Sequence, residues 1–571
     1  MSSVFDRWTR AGRGRLAIYG LLNVLVVLMI GGFSCSAGAR PWQSANGTLS
    51  LSVVDADSSQ PTPVRLEMSD DKGQAYIAED ALRIGALGIV DTDSKTPWKG
   101  TLEEWRRLCY QEVPNPFTKT TQFYSVGTSR FSLPAGTYRL RVFKGIEYRV
   151  QAREVRIEKG KTLDLTIPIS RWIDMPQRGW YGADDHLHIA RPHKEMDPVL
   201  LRWMQGEDLH VANLLQWGHS WHFHNTIQYA HGREGVYQEG DSLLAPGQEN
   251  PRINFLGHAI ILGAPSPIHF PEDYLAYPLP FEEAQRTGAL AGYAHAGKGR
   301  GRDWDRKAYG LGINLGHGPV NFVEVLQFKK GGYGFWYDAL NSGFRVAPTA
   351  GTDYMNPGTT LPGRDRFYTR VDGPLTYEAW LQGVRQGRTF VTNGPMLEFE
   401  VNGKGMGEEA ALQGPGTLRV RGRVRFNPES DDVHWIQVIK DGDIIRAIPR
   451  ERDSSDIPFQ FDLEAREPMW LALRVTGEKV GEAGNFPSEA HSAAIYVTLE
   501  NSSAHPRAKS SARTWVERLE ELERLLAEEN IPKLADPKLG DGITVENLRK
   551  NRSKLLKTIQ TAKGHFMSQG R

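Results

Sequence analysis

Cysteine is nearly absent. Of 571 residues only Cys35 and Cys109 carry a thiol, too few for a disulfide framework or a thiolate metal cage. Any metal ligands must therefore be histidine, aspartate or glutamate. Charge of one sign is lacking too. Lys and Arg number 69 against 68 Asp and Glu, a net charge of +1. Nucleic-acid-binding domains carry a basic face, so no nucleic-acid partner is expected. No internal repeat is present, which sets aside solenoids and propellers.

Beyond the N-terminus, long apolar runs are missing as well. The exception lies at residues 16–33, preceded by Arg7, Arg10, Arg13 and Arg15 and followed by Ala37-Gly38-Ala39. A charged stretch, an apolar stretch and a small-residue exit in that order form an export signal. Residues 1–39 are expected to send the chain to the periplasm or the exterior, as a cleaved signal peptide or as a membrane anchor. Anchoring has two routes: an uncleaved span of barely sufficient length, or a lipid on Cys35, although Gly32-Phe33-Ser34 makes a poor lipobox.

The remaining length admits several domains at about 150 residues each. Strand-period alternation in Leu49-Ser50-Leu51-Ser52-Val53-Val54, Thr137-Tyr138-Arg139-Leu140-Arg141-Val142 and Leu163-Asp164-Leu165-Thr166-Ile167 predicts a β-sandwich over 46–170. An irregular insertion at 81–122 carries a short helix at 102–109. Over 171–395, short apolar runs such as Ala259-Ile260-Ile261-Leu262 alternate with helical stretches at 198–204 and 282–287, which predicts an α/β domain of barrel type. Alternation returns over 396–500, with a hairpin signal at Lys440-Asp441-Gly442-Asp443, and predicts a second β-sandwich. A linker and an amphipathic helical hairpin complete 501–571.

What the chain has in excess is histidine, in one place. Twelve of its sixteen histidines lie between His186 and His317, beginning with Ala183-Asp184-Asp185-His186-Leu187-His188-Ile189. Imidazole is the commonest metal ligand. On a strand, residues i and i+2 face the same side, so His186 and His188 can reach one ion from a rigid support. The acidic pair beside them can ligate or orient a ring. A strand with buried, hydrogen-bonded histidines is the competing reading. His222-Phe223-His224 repeats the spacing and is a candidate for ligation or substrate binding, with a surface loop as the alternative. His317, between glycines, is a lesser candidate. Arg191 and Arg370 could bind an anionic substrate group, although surface pairing is the commoner fate. Glu324 interrupts the apolar run Asn321-Phe322-Val323-Glu324-Val325. A buried carboxylate there is costly unless paired, so a place at the site and a salt bridge fit equally.

The motifs fall in a recognisable order. Gly179-Trp180-Tyr181 followed by Asp184-x-His186-x-His188 resembles the CehA/McbA-type metallohydrolases of the PHP (polymerase and histidinol phosphatase) superfamily. Gly247-Gln248-Glu249, Leu256-Gly257-His258, Gly292-Tyr293-Ala294-His295 and Ala350-Gly351-Thr352-Asp353 resemble that family's successive motifs. Gly387-Arg388-Thr389-Phe390-Val391-Thr392-Asn393-Gly394-Pro395 resembles the segment leading into its C-terminal sandwich, and Ala490-His491-Ser492-Ala493-Ala494-Ile495-Tyr496-Val497 that sandwich's last strand. The ordered set is specific, although each element alone is weak.

The resemblance implies a multidomain α/β plus β chain: a PHP-like distorted (β/α) barrel over 171–395, flanked by the two sandwiches. It implies metal ligands among His186, His188, Glu249, His258, His295 and Asp353. These would hold one or two divalent ions, Zn or Mn with Fe also compatible, and Glu249 would bridge where two are bound. His295, Glu249 and Asp184 take catalytic roles. Arg191, His222, His224, His317 and Arg370 are candidates for holding a small-molecule ester: a phosphoester, a carbamate ester or a related bond. Two departures stand out. The family carries Thr-Asp-His where this chain has Ala212-Asn213-Leu214-Leu215-Gln216-Trp217-Gly218, and Asp-x-His where it has Asp353-Tyr354-Met355. A full three-metal centre is therefore not expected. The rival reading is a catalytically degenerate cell-envelope protein that binds carbohydrate or a protein partner on the same scaffold.

Overall fold

Alternation in the 49–54 segment builds the strand Asn46–Asp55, whose odd-numbered residues from Gly47 to Val53 are buried. It pairs with Thr128–Pro134 and Thr162–Ile169 in a three-stranded sheet. A five-stranded sheet, ordered Val113–Pro114, Thr121–Ser125, Val64–Asp70, Gly136–Phe143 and Gln151–Ile157, shares its core through Leu49, Leu66, Phe123, Phe131 and Leu140. The insertion carries the helix Leu102–Leu108, started by a capping box between Thr101 and Glu104. The computed structural model describes residues 46–85, 98–220, 222–296, 308–318, 320–327, 330–451, 453–481, 486–500, 502, 505–536 and 542–569. The expected export segment 1–39 and part of the 81–122 insertion lie outside the described residues. Among the described residues no helix is long and apolar enough to cross a membrane.

The segment bearing the histidines supplies the strands Trp180–Leu187, Val211–His219 and Ser242–Ile253, mutually parallel and in that order. The antiparallel strand Gly257–Leu262 joins them to a second parallel set, Leu290–Tyr293, Phe322–Gln327 and Ala347–Ala350. Arg366–Arg370 runs antiparallel along the other edge of Trp180–Leu187. These strands belong to one closed hydrogen-bonded sheet, which continues into C-terminal strands through the pairing of Thr389–Thr392 with Pro487–Ser492. Their near-continuous burial matches parallel strands covered on both faces. Both sets of parallel strands point the same way, so their carboxyl ends share one end of the sheet.

Farther along, Met396–Val401, Gly416–Arg425 and Asp456–Ala465 form a three-stranded sheet. It packs on the strands Asp431–Lys440, Met469–Lys479 and Ile495–Leu499 through Leu397, Val420, Val438, Leu473 and Val497. The expected hairpin joins Asp431–Lys440 to Asp443–Ile448, with Asp441 and Gly442 at positive φ as a type I′ turn requires. The helices Ala508–Leu525 and Val545–Gln569 lie on the helix Tyr309–His317. Trp515, Leu519, Ile559 and Ala562 enter the central core, and Gly316 abuts Ala562 so closely that a Cβ there would sit 2.6 Å from its Cα. The chain is mixed α/β with many sheets and a helical C-terminal end.

One buried histidine of the C-terminal strands sets a pH dependence. His491 Nδ1 donates to the Ser492 carbonyl (2.8 Å), so Nε2 is left to accept from the Tyr337 hydroxyl at 2.6 Å. Burial pushes its pKa down to about 3. The unfolded chain therefore binds a proton that the folded chain refuses between pH 6.5 and 3. Stability from this group is full above the unfolded value and lost as pH falls. Against His491→Gln, unfolding free energies from urea titrations should fall more steeply for the parent as pH drops below 6.5, by about 1.4 kcal/mol per pH unit. Identical slopes would show that His491 is not held neutral.

Candidate metal centre

His186 is the penultimate residue of the strand Trp180–Leu187, and His188 stands just past it. Glu249 lies far along Ser242–Ile253, opposite Trp217 in register. His295 follows Leu290–Tyr293, Asp353 follows Ala347–Ala350, and His258 begins the antiparallel strand Gly257–Leu262. All of them therefore meet at the carboxyl end of the parallel strands, where open and closed α/β sheets place their sites. His295 (φ 32°) and Asp353 (φ 50°) both hold left-handed backbone, which is strained for side-chain-bearing residues and recurs at functional sites.

Two three-residue groups result, each compact enough to hold a metal ion: His186, His188 and Glu249; and Glu249, His258 and His295. His186 Nε2 and His188 Nε2 are 3.2 Å apart. Asp353 Oδ1 lies 3.4 and 3.3 Å from those nitrogens. Glu249 Oε2 is 3.2 Å from His188, and Glu249 Oε1 is 2.7 Å from His258 Nδ1 and 3.8 Å from His295 Nε2. Glu249 thus belongs to both groups.

The electrostatics suit a cation. Burial pushes the His186 pKa down, but Glu324, Asp353 and Glu249 outweigh it and hold the ring well above its ordinary value. Burial likewise pushes Glu249 up, and Arg252, His258 and His186 together bring it well below the usual carboxylate range. His258, desolvated and beside Arg252, is lowered to about 4 and is neutral near pH 7, the state a ligand needs. The donor set is imidazole nitrogen and carboxylate oxygen, which fits a Zn- or Mn-class divalent ion.

Glu324 settles at this site. Its carboxylate is 3.3 Å from His186 Nδ1 and accepts the His295 backbone N–H at 2.6 Å. An acceptor on Nδ1 leaves Nε2 free to ligate. Gly351 is required beside it, since a Cβ would lie 2.5 Å from both Glu324 Oε1 and His186 Cβ. Arg252 was not singled out by any motif. Its Nε is 2.6 Å from Glu249 Oε2, and its guanidinium covers the Trp217 ring at 4.4 Å. The only signal for it is a cation three residues after the acidic motif.

Several expected residues stand elsewhere. Asp184 takes no place in either group. It is buried and accepts from His186 N (3.0 Å), Thr352 N (3.1 Å), Thr352 Oγ1 (2.6 Å) and Gly363 N (2.8 Å). Those bonds tie the His186 backbone to Thr352, the residue before Asp353, and to Gly363. Arg191 is buried under Tyr229, paired with Asp197 (3.2 Å) and donating to the Gly235 carbonyl (2.6 Å), so it has no face for substrate. Arg370 pairs in register with Trp180, at the opposite end of the sheet, and is exposed near Asp372. His317 Nε2 bonds the Thr558 carbonyl at 2.9 Å and docks the C-terminal helix. His222 and His224 lie on the buried strand His222–Asn225 rather than on a surface loop, and join neither ligand group. Their rings continue a row through His219 and Trp217 to His188, with centroid spacings from 4.8 to 6.1 Å.

No protein-family profile matches the chain, and no curated protein matches it. Two solved structures are similar at a low level. The minor pilin GBS52 of Streptococcus agalactiae is 20% identical over 23% of this chain and 46% of its own, with a TM-score of 0.14. An engineered protein is 11% identical over 54% of this chain and 52% of its own, with a TM-score of 0.13. The chain spans about half the length of each.

Proposed function

We propose that the chain is an exported metal-dependent hydrolase of phosphoester, carbamate ester or related ester bonds in small molecules. The observation that carries this reading is Glu249, one buried carboxylate shared by two ligand groups at the carboxyl end of parallel strands. The ordered motifs from Asp184 to Pro395 support it through their resemblance to CehA/McbA-type enzymes. On that resemblance we read the closed sheet as a PHP-like distorted barrel between two β-sandwiches. Export rests on residues 1–39.

His186, His188, Glu249 and Asp353 would hold one ion, and Glu249, His258 and His295 a second. Such an ion, when bound, supplies an activated water and polarises the scissile bond. The protein does the rest. Glu324 holds the His186 ring with Nε2 inward, and Asp184 ties the strand that carries His186 to Thr352, next to Asp353. Arg252 keeps Glu249 ionised. With only the first ion bound, His295, whose side chain is 17% exposed, would be available to protonate a leaving group; with a second ion bound it would be a ligand instead.

The test is elemental analysis of protein expressed with added Zn and Mn, followed by assays on aryl phosphodiesters, phosphomonoesters and carboxylic or carbamate esters. One or two equivalents of metal, with chelator-sensitive turnover of at least one class, is the expected result. Trace metal and no turnover on any class would overturn the proposal.

A further inference from the structure

The two ligand groups present their imidazoles in opposite ways. Glu324 stands 3.3 Å from His186 Nδ1, which leaves Nε2 for an ion. His258 is turned about. Its Nδ1 is 2.7 Å from Glu249 Oε1, on the carboxylate common to both groups, and its Nε2 is 3.2 Å from Asn254 Oδ1. An amide oxygen only accepts, and a neutral imidazole has one N–H to give. Without an ion that proton has two acceptors to choose from, Glu249 and Asn254. An ion between Nδ1 and Glu249 excludes it from Nδ1 and leaves it on Nε2, facing Asn254.

The fold holds Asn254 in place for this contact. It lies four residues before His258, in the turn between Ser242–Ile253 and Gly257–Leu262. Tyr277 pins both ends of the turn: its hydroxyl accepts the Ile253 N–H at 2.9 Å and donates to the Gly257 carbonyl at 2.5 Å. The Leu256 carbonyl accepts from Gly310 N at 2.7 Å. Gly257, at φ 96°, takes the left-handed backbone that brings the chain round to His258. An acceptor carried on so fixed a turn sets the orientation of the ring as well as the place of its proton.

We infer that Asn254 is a positioning residue that makes His258 ligate through Nδ1, opposite to His186. The inference rests on the proposal that Glu249, His258 and His295 hold an ion. It also ranks the two ions. Three side chains hold the second, against His186, His188, Glu249 and Asp353 for the first. A neutral amide behind His258 strengthens its ring as a donor less than the Glu324 carboxylate strengthens His186. The second ion is therefore the weaker one.

The full chain, with its histidine nitrogens isotopically labelled, is stripped of metal and loaded with a spin-half cadmium isotope for NMR. Cadmium should split the His258 Nδ1 resonance, assigned by its loss in His258→Gln, and the His186 Nε2 resonance. Splitting of His258 Nε2, or of neither His258 nitrogen, would overturn the inference. Calorimetric titration with cadmium gives a second readout. Asn254→Leu should weaken the weaker ion by about 10–100-fold and leave the tighter one unchanged. Asn254→Asp, which keeps an acceptor on Nε2, should hold both at least as tightly as the parent. An unchanged weaker ion in Asn254→Leu would also overturn the inference, as would an equal loss in both variants, since packing alone would then be at work. Circular dichroism checks the fold, and should Asn254→Leu fail to fold, the splitting in the parent decides. Turnover enters neither readout. A chain that takes cadmium on His258 Nδ1 and hydrolyses nothing keeps this inference and sinks the hydrolase reading; ligation through Nε2 in an active enzyme does the reverse.

Discussion

His186→Ala combined with His188→Ala leaves a folded protein that has lost the ion of the first group: a one-ion parent falls to trace metal, and a two-ion parent keeps at most the ion at Glu249, His258 and His295. The two imidazoles supply both nitrogens of the first group, with Nε2 atoms 3.2 Å apart. Outer partners of metal ligands are each worth about 10–100-fold in affinity. Losing two ligands outright exceeds that and leaves Glu249 and Asp353 as acceptors without nitrogen. The fold survives because the carrying strand is held by its backbone. Trp180–Leu187 pairs with Val211–His219 on one side and Arg366–Arg370 on the other, and the Asp184 clamp uses the His186 backbone rather than its ring. Elemental analysis beside far-UV circular dichroism makes the measurement. A metal content equal to the parent's in the double variant would place the site elsewhere, and the row His219, His222 and His224 would be next to replace.

The two histidines could be read from sequence because their chemistry is local. A spacing of two on a strand settles that the rings share a side, and no distant residue can change it. The strands at 49–54, 137–142 and 163–167 were legible for the same reason and lie within Asn46–Asp55, Gly136–Phe143 and Thr162–Ile169. The misplaced residues needed information that local sequence lacks. Arg370 lies on the strand beside the one that leads to His188, yet its antiparallel direction sets it opposite Trp180, at the far end of the sheet. Arg191 looked available because its second acceptor, the Gly235 carbonyl, is 44 residues away. Asp184 resembled a ligand, and its partners Thr352 and Gly363 are separated from it by 168 and 179 residues. Glu324 could be flagged as a carboxylate out of place in an apolar run, but whether it faced a site or a salt bridge depended on which strands closed the sheet beside it. Arg252 had no pattern to belong to, since its role is set by Glu249 and the Trp217 face beneath it.

Glu249→Ala should empty both groups at once, whereas His258→Ala combined with His295→Ala should spare the ion at His186 and His188. The contrast follows from sharing. Glu249 is a member of both groups, and the other four residues belong to one each. A parent protein with two ions would fall to none in the first variant and to one in the second. A parent with one ion would lose it only in the first. Glu249→Ala also carries a stability effect that needs no metal. The carboxylate is 1% exposed and its ion-pair partner Arg252 is 17% exposed. Removing one member of a buried pair leaves the other uncompensated, at a cost of about 3–5 kcal/mol in the metal-free protein. The pH dependence has a definite sign. Because Arg252, His258 and His186 overcome burial and hold Glu249 below its unfolded pKa of 4.5, the folded chain keeps it ionised where the unfolded chain takes up a proton. Its stabilisation is complete above pH 4.5 and disappears as pH falls through the folded value. Metal-free parent and Glu249→Ala should therefore differ most in urea midpoint near pH 7 and converge toward strong acid. Equal midpoints at pH 7, or retention of all the parent's metal by Glu249→Ala, would show that this carboxylate is not the shared centre of the site.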